Sequence, residues 1–364
     1  MLIDIIAGAR PNFMKVAPIV ENIKLARADN RNIDFRLIHT GQHYDKNMSD
    51  SFFEQLGIPQ PDINLEGGGG TGTEQTAAIM LGYENLLGKK KPDICLVVGD
   101  VTSTMACAIV AQKSFVKVAH VEAGIRSGDW SMPEEINRLV TDSITNYFFT
   151  TSETANFNLT ASGVSNERIF FVGNTMIDTL LKNQSRFMKP LIWDKAELRE
   201  KEFFVLTLHR PGNVDGEEKL KALLDQIIGN SRGLPVIFPV HPRTAKILKA
   251  IGPKSDNLYY VEPLSYLEFN YLVQRAFAVV TDSGGITEET TVMGVPCITL
   301  RNSTERPETV TIGTNELIGT DPIAIKPNFE KLFSGSWKKG QIPELWDGMT
   351  GKRIVDILLT LGVE

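Results

Sequence analysis

The sequence predicts an α/β protein of two domains, each built on a parallel sheet. Its 364 residues exceed what one typical core organises. Short apolar, β-rich runs alternate with amphipathic stretches of helical length, which is the pattern of βαβ units. That alternation restarts after a polar region containing Trp193 and several lysines that extends to Lys201. A composition of 42% apolar and 23% charged residues belongs to an ordinary globular chain. The net charge of −6 disfavours nucleic acid and anionic membrane as partners, since both prefer a basic surface.

The first half opens with a strand at residues 2–7, then Gly8-Ala9-Arg10-Pro11-Asn12, then apolar residues at helical spacing (Val16, Ile19, Val20, Ile23). A second strand at 34–39 leads through the loop 40–45 to a helix expected at 49–56. The glycine-rich run from Glu66 to Gly72 precedes a helix at 74–87 and reads equally as a lid or a surface linker. It is no P-loop, because no GK[ST] follows, and Gln75 replaces the third glycine of a dinucleotide fingerprint.

Next comes a strand at 94–98 ending in Gly99-Asp100, and another that delivers His120 and Glu122 to its end. A helix then starts at Met132-Pro133-Glu134-Glu135-Ile136-Asn137-Arg138. Strands at 147–150 and 168–172 close the first domain, 1–172. The second domain, 173–351, starts with a helix at 176–182 and has strands at 203–208, 236–240, 258–261, 278–281 and 296–300. A C-terminal helix at 352–361 is expected to pack back on either domain, with 352–364 assigned to the first.

Cys95, Cys107 and Cys297 show no CxxC spacing and read as buried, reduced thiols. Met1 runs directly into a strand, and no apolar run approaches the ~20 residues of a membrane span, so the expected location is cytoplasmic.

Ligands of open α/β sheets bind outside the carboxyl ends of the strands. Asp100, Glu122 and Glu134 converge on such an edge, where several carboxylates suit acid–base chemistry through shifted pKa values. Ser283-Gly284-Gly285 follows a strand and opens a helix. Small residues and free amides there suit a diphosphate, with Glu288 or Glu289 one turn on to take sugar hydroxyls. Arg10 and Lys15 flank a helix start, where cations oppose the macrodipole, and so favour an anionic partner. Arg306 is similar in kind. Glu134 and Arg138 should share a helix face. His209 and His241 stand at successive strand ends, and with no HExxH or Cys/His spacing a metal site is not expected.

ARPNFMKVAP, VVGDVTST, HVEAGIRSGD, MPEEINR, VGNTMID, TLHRP, TDSGGITEE and STERPE, in that order over nearly the whole chain, resemble the non-hydrolysing UDP-N-acetylglucosamine 2-epimerases. The resemblance implies two Rossmann-like domains with an interdomain cleft (GT-B type), a homodimer, and interconversion of UDP-GlcNAc and UDP-ManNAc without cofactor or metal. It implies expulsion of UDP to give 2-acetamidoglucal, then re-addition with a proton delivered to the opposite face of C2. Asp100, Glu122 and Glu134 match the family's catalytic acids, and His209 the histidine near the departing diphosphate. Arg138 matches an arginine of the cleft and Glu289 a ribose-binding acid. Arg10, Lys15, Ser283, Gly284, Gly285 and Arg306 would clamp the nucleotide.

Departures are Asn12 where many members have Glu, and Pro211-Gly212 after His209-Arg210 in place of Arg-Glu. The loop Gln42-His43-Tyr44-Asp45-Lys46 differs from members that carry an allosteric second substrate, so activation by substrate is not implied. Relatives acting on UDP-2,3-diacetamido uronic acids share RP-x-F and MPEEINR but lack the Arg-Pro-Glu of 306–308, which favours plain UDP-GlcNAc. The same fold also serves glycosyltransferases, which need an acceptor, and would equally serve a sensor that binds a sugar nucleotide unchanged.

Overall fold

The structure is a computed structural model that describes residues 1–41, 57–240, 244, 248 and 255–361. The helix expected at 49–56, the loop 42–46 and His241 lie outside the described residues, and Arg10 is described in its backbone alone. The chain forms two compact units, Met1–Lys182 with Glu344–Glu364, and Asn183–Pro343.

The first unit holds a seven-stranded parallel sheet of β1 (Leu2–Ala7), β2 (Asp34–His39), β3 (Ile63–Asn64), β4 (Ile94–Val98), β5 (Lys117–Val121), β6 (Tyr147–Thr150) and β7 (Ile169–Phe171), in the order β3-β2-β1-β4-β5-β6-β7. Every residue of β4 is buried, as a strand covered by helices on both faces requires. The second unit repeats the design with β8 (Phe204–Thr207), β9 (Val236–Pro239), β10 (Leu258–Val261), β11 (Ala278–Thr281), β12 (Cys297–Thr299) and β13 (Asn315–Leu317), in the order β10-β9-β8-β11-β12-β13. The two faces of β8 fill two separate cores. Phe204 and Leu206 pack with Val236 and Phe238, whereas Phe203 and Val205 pack with Ile237 and Leu272. This follows from the two-residue alternation of a strand.

In both sheets the strand order reverses once, between β1 and β4 and between β8 and β11. Loops leaving these neighbouring strands diverge to opposite faces and open a crevice at the carboxyl edge. Gly99-Asp100 follows β4; His209 and Asp282-Ser283 follow β8 and β11. Topology therefore carries the singled-out residues of both units to the two positions where such sheets take ligands.

The boundary expected at residue 173 falls inside the first unit, because the helix Thr175–Asn183 is tied to it. Thr179 Oγ1 donates to the Met14 carbonyl at 2.7 Å, and the Asp178 carboxylate accepts from the amides of Thr350 and Gly351 at 3.1 and 2.7 Å. Those amides begin the C-terminal helix Thr350–Leu361, so Asp178 caps it and draws it back to the first unit. A Cβ on Gly351 would stand 2.7 Å from the Pro18 carbonyl carbon, so only glycine lets this helix approach Arg10–Ala28 so closely. Trp346, fully buried, donates its indole N–H to the Thr151 carbonyl.

In the glycine-rich stretch, the Gly67 amide donates to the Thr40 carbonyl, and Thr71 and Glu74 form a reciprocal cap for the helix Gly72–Lys89. The three cysteines are buried and unbridged, and burial raises all three thiols, Cys297 to about 12. Among the described residues no helix is long and apolar enough to cross a membrane.

Candidate active site

In the first unit the acids gather around Gly99. Its φ of +69° is the left-handed turn that lets the chain leave β4 sharply. A Cβ there would lie 3.2 Å from Lys15 Nζ, 3.7 Å from Asn12 Nδ2 and 3.8 Å from Glu122 Oε2, so these groups ring the turn. Glu122 is buried, has φ +68°, and accepts from Lys15 Nζ at 2.7 Å. A left-handed glutamate is strained by roughly 1–3 kcal/mol, and such strain gathers at functional positions. Asn12 holds the first turn of its helix, accepting from the Gly8 and Ala9 amides and donating to the Val98 carbonyl.

The helix Pro133–Ile144 supplies the other side. Arg138, buried, pairs with Asp100 at 2.5 Å and with Glu135 at 2.7 Å; Asn137 donates to the Asp100 carbonyl at 2.8 Å. Glu135 also accepts from the Ser127 amide and hydroxyl and the Gly128 amide. Burial works to raise Glu135, and these hydrogen bonds outweigh it to hold the carboxyl below its usual range. Glu134 is half-buried and makes no hydrogen bond or ion pair to a described residue, which leaves its carboxylate available.

In the second unit, Asp282 organises the switch point. Fully buried, it accepts from the His209 and Arg210 amides and from Asn213 Nδ2, all at 3.0–3.1 Å, and pairs with His209 Nδ1 at 2.9 Å. Burial pushes its carboxyl up, but His209, Asn213 and the Arg210 amide outweigh that and hold it below its ordinary value. His209 itself remains half exposed. Ser283, at the cap of the helix Gly284–Met293, makes no capping bond with its side chain. A Cβ on Gly285 would meet nothing within 4 Å, so the fold does not require glycine there.

Behind this helix start lies a buried acidic cluster. Glu288 is ion-paired to Arg306, and Glu289 accepts from the Tyr266 hydroxyl at 2.9 Å. Burial, reinforced by the neighbouring Glu288 charge, carries Glu289 up to about 7. Glu308 is buried with neither carboxylate oxygen hydrogen-bonded among the described residues, and burial lifts it to about 7 as well.

Three comparisons bear on this arrangement. The family model for UDP-N-acetylglucosamine 2-epimerase matches residues 26–359. The chain belongs to the UDP-N-acetylglucosamine 2-epimerase family. It is 41% identical over 370 residues to a UDP-N-acetylglucosamine 2-epimerase of Methanocaldococcus jannaschii, covering 98% of this chain and 99% of that one. A crystal structure of the Methanocaldococcus jannaschii enzyme in complex with UDP-GlcNAc and UDP superposes with a TM-score of 0.87 at 40% identity, covering 99% of this chain and 100% of that chain. The chain is also 39% identical over 323 residues to a UDP-2,3-diacetamido-2,3-dideoxy-D-glucuronate 2-epimerase of Pseudomonas aeruginosa, with 88% of each covered.

Within this 2-epimerase family member, the structure brings Lys15, Asp100, Glu122, Arg138 and the helix start bearing Glu134 together in one unit, and His209, Ser283, Gly284, Gly285, Glu289 and Arg306 in the other. Two electrostatic expectations change. Lys15 and Arg306 do not await an external anion for compensation, since buried Glu122 and Glu288 pair with them. Arg138 takes Glu135, three residues before it, and not Glu134, because Glu135 faces inward while Glu134 sits at the rim. The sequence reading missed Glu135, Asn213, Tyr266, Asp282 and Glu308 as site components. Of these, only Asp282 carried a usable signal, an acid directly after an apolar strand.

Glu308 yields a pH-dependent prediction. Its folded-state value lies above the unfolded value of 4.5, so the folded state binds the proton more tightly. Its stabilising contribution is full below 4.5 and is lost as pH rises through about 7. Glu308→Gln removes this loss. Urea unfolding should show the variant matching the native protein near pH 4.5 and exceeding it by about 3 kcal/mol above pH 8. A native protein as stable as the variant above pH 8 would rule the assignment out.

Proposed function

We propose that the protein interconverts UDP-N-acetylglucosamine and UDP-N-acetylmannosamine by eliminating and re-adding UDP. The observation that carries this is the rim of the first unit: Asp100 and Glu122 meet at one left-handed turn, and the helix that holds the Asp100 carbonyl through Asn137 carries Glu134 in its first turn. The C2 proton of the sugar has no adjacent carbonyl to acidify it, so UDP leaves C1 first. The resulting oxocarbenium-like sugar loses its C2 proton to one carboxylate and becomes 2-acetamidoglucal. A second carboxyl group, in its acid form, then gives its proton to the opposite face of C2 as UDP returns to C1. Acids on both faces are required, and a rim with one acid bound to lysine, one to arginine and one uncommitted supports that division of labour.

UDP binding falls to the second unit. Ser283, Gly284 and Gly285 offer helix N-terminal amides to the diphosphate, and His209, oriented by Asp282, stabilises the leaving group. Glu289 takes the ribose hydroxyls and Arg10 and His241 offer charge to the diphosphate, while Lys15, Arg138 and Arg306 hold the acids paired with them. The chain acts as a homodimer in the cytoplasm and supplies a cell-surface polysaccharide precursor. No acceptor is needed, which separates this reading from a glycosyltransferase.

Incubation with UDP-GlcNAc alone, followed by anion-exchange chromatography, should give a mixture of UDP-GlcNAc and UDP-ManNAc, reached equally from UDP-ManNAc. UDP with free sugar, or no change, would contradict it. The Pseudomonas aeruginosa likeness supports a second substrate, UDP-2,3-diacetamido-glucuronate, and higher kcat/KM for that sugar would move the specificity there. Gly285→Ala tests the clamp separately. Its methyl occupies space the protein leaves open, so the unfolding midpoint should hold or rise while KM increases about tenfold or more, corresponding to ~1.4 kcal/mol of lost binding. An unchanged KM would place the diphosphate elsewhere.

A further inference from the structure

We propose that His120 is a positioning residue whose Nε2–H holds the Gly99 carbonyl and so fixes the backbone from which Asp100 acts. The inference rests on the catalytic reading of Asp100. His120 is fully buried on β5, opposite Val97 of β4. Its Nε2 lies 2.8 Å from the Gly99 carbonyl oxygen and its Nδ1 2.7 Å from Asp142 Oδ1. A carbonyl oxygen can only accept. Asp142 is an ionised acceptor, because Arg126 and the Gly124 amide donate to its other oxygen at 2.6 and 3.1 Å. Burial pushes the Asp142 carboxyl up, but the bonds and charges of His120 and Arg126 hold it below its ordinary range. Nε2 must therefore carry a proton and donate to the carbonyl, while Nδ1 shares a hydrogen bond with the Asp142 carboxylate.

The consequence concerns the turn. Gly99 has left the strand ladder with a positive φ, so no neighbouring strand fixes its carbonyl. Three groups define the turn instead. The Gly99 amide donates to the Val121 carbonyl at 3.0 Å, His120 binds the Gly99 carbonyl, and Asn137 binds the Asp100 carbonyl. Asn137 and Asp142 lie on the same helix, Pro133–Ile144. The His120–Asp142 pair thus ties β5, the turn and the helix that presents Glu134 and Arg138 into one unit. Displacing a reacting group by about 1 Å can lower a rate about a hundredfold.

Two substitutions divide the ring's bonds between them. The amide nitrogen of Asn falls near the position of Nδ1, and that of Gln near Nε2. His120→Asn keeps the bond to Asp142 and drops the one to Gly99; kcat should fall about a hundredfold with KM within about threefold of native. His120→Gln keeps the donor to Gly99 and should stay within about tenfold of native kcat. A role in stability alone would give both variants parallel losses. Equal kcat in the two, or an unimpaired His120→Asn, would overturn the proposal. Should His120→Asn fail to fold, nitrogen-15 NMR of the native ring decides: a protonated Nε2 is expected, and a bare Nε2 would overturn it. The spectrum needs no turnover. A native protein inactive on UDP-GlcNAc therefore sinks the functional reading, while the ring is judged independently.

Discussion

Glu122→Gln is expected to lower kcat by roughly 10²–10⁴ while the protein stays folded. The amide still accepts from Lys15 but neither gives nor takes a proton at neutral pH. Asp100→Asn and Glu134→Gln should cause losses of the same order if each acid serves the proposed reaction. Stability separates the three. Glu134 has no hydrogen-bond or ion-pair partner among the described residues, so its amide should unfold within about 0.5 kcal/mol of native. Glu122 and Asp100 each give up the negative partner of an ion pair, with Lys15 and Arg138, and their amides should be weaker by about 1–3 kcal/mol. Urea unfolding beside steady-state kinetics measures both effects. Near-native kcat in all three variants would remove the acid–base account.

Asp282→Ala should be the most damaging single change in the second unit. It strips acceptors from two backbone amides, the Asn213 side chain and the His209 ring at once. Leaving buried donors unsatisfied and breaking a buried charged pair is expected to remove about 3 kcal/mol or more. Because the one-turn helix Pro211–Val214 hangs from the same carboxylate, the loop bearing His209 should also lose its shape. Turnover would then fall even at temperatures where the variant is folded. Unfolding free energies within about 1 kcal/mol of native would show that the loop has another support.

These expectations draw on parts of the molecule that differed in how openly the sequence declared them. Strands β4, β10 and β11 were readable to the residue, because each is an apolar, β-rich run bounded by polar or turn residues. β3 and β13, only two and three residues long, were not legible, since their placement depends on neighbours in the sheet and not on a local pattern. The acidic rim was visible because parallel strands have no need of acids at their carboxyl ends. The pairing of those acids was not. Lys15 and Glu122 are 107 positions apart, and Asp100 and Arg138 38, so their contacts follow from strand order alone. The left-handed backbone of Glu122 was equally hidden, since nothing in a glutamate announces a positive φ.

The division of labour between the two units makes one demand that is open to direct test. If the first unit exchanges a proton at C2 while the second holds UDP, epimerisation must pass through a sugar whose C2 hydrogen has gone to solvent-exchanging acids. Proton NMR of UDP-GlcNAc incubated with the protein in D2O should show UDP-ManNAc formed with deuterium at C2 and the C2 proton signal lost from the substrate pool. UDP-ManNAc that retains the original hydrogen at C2 would contradict the account.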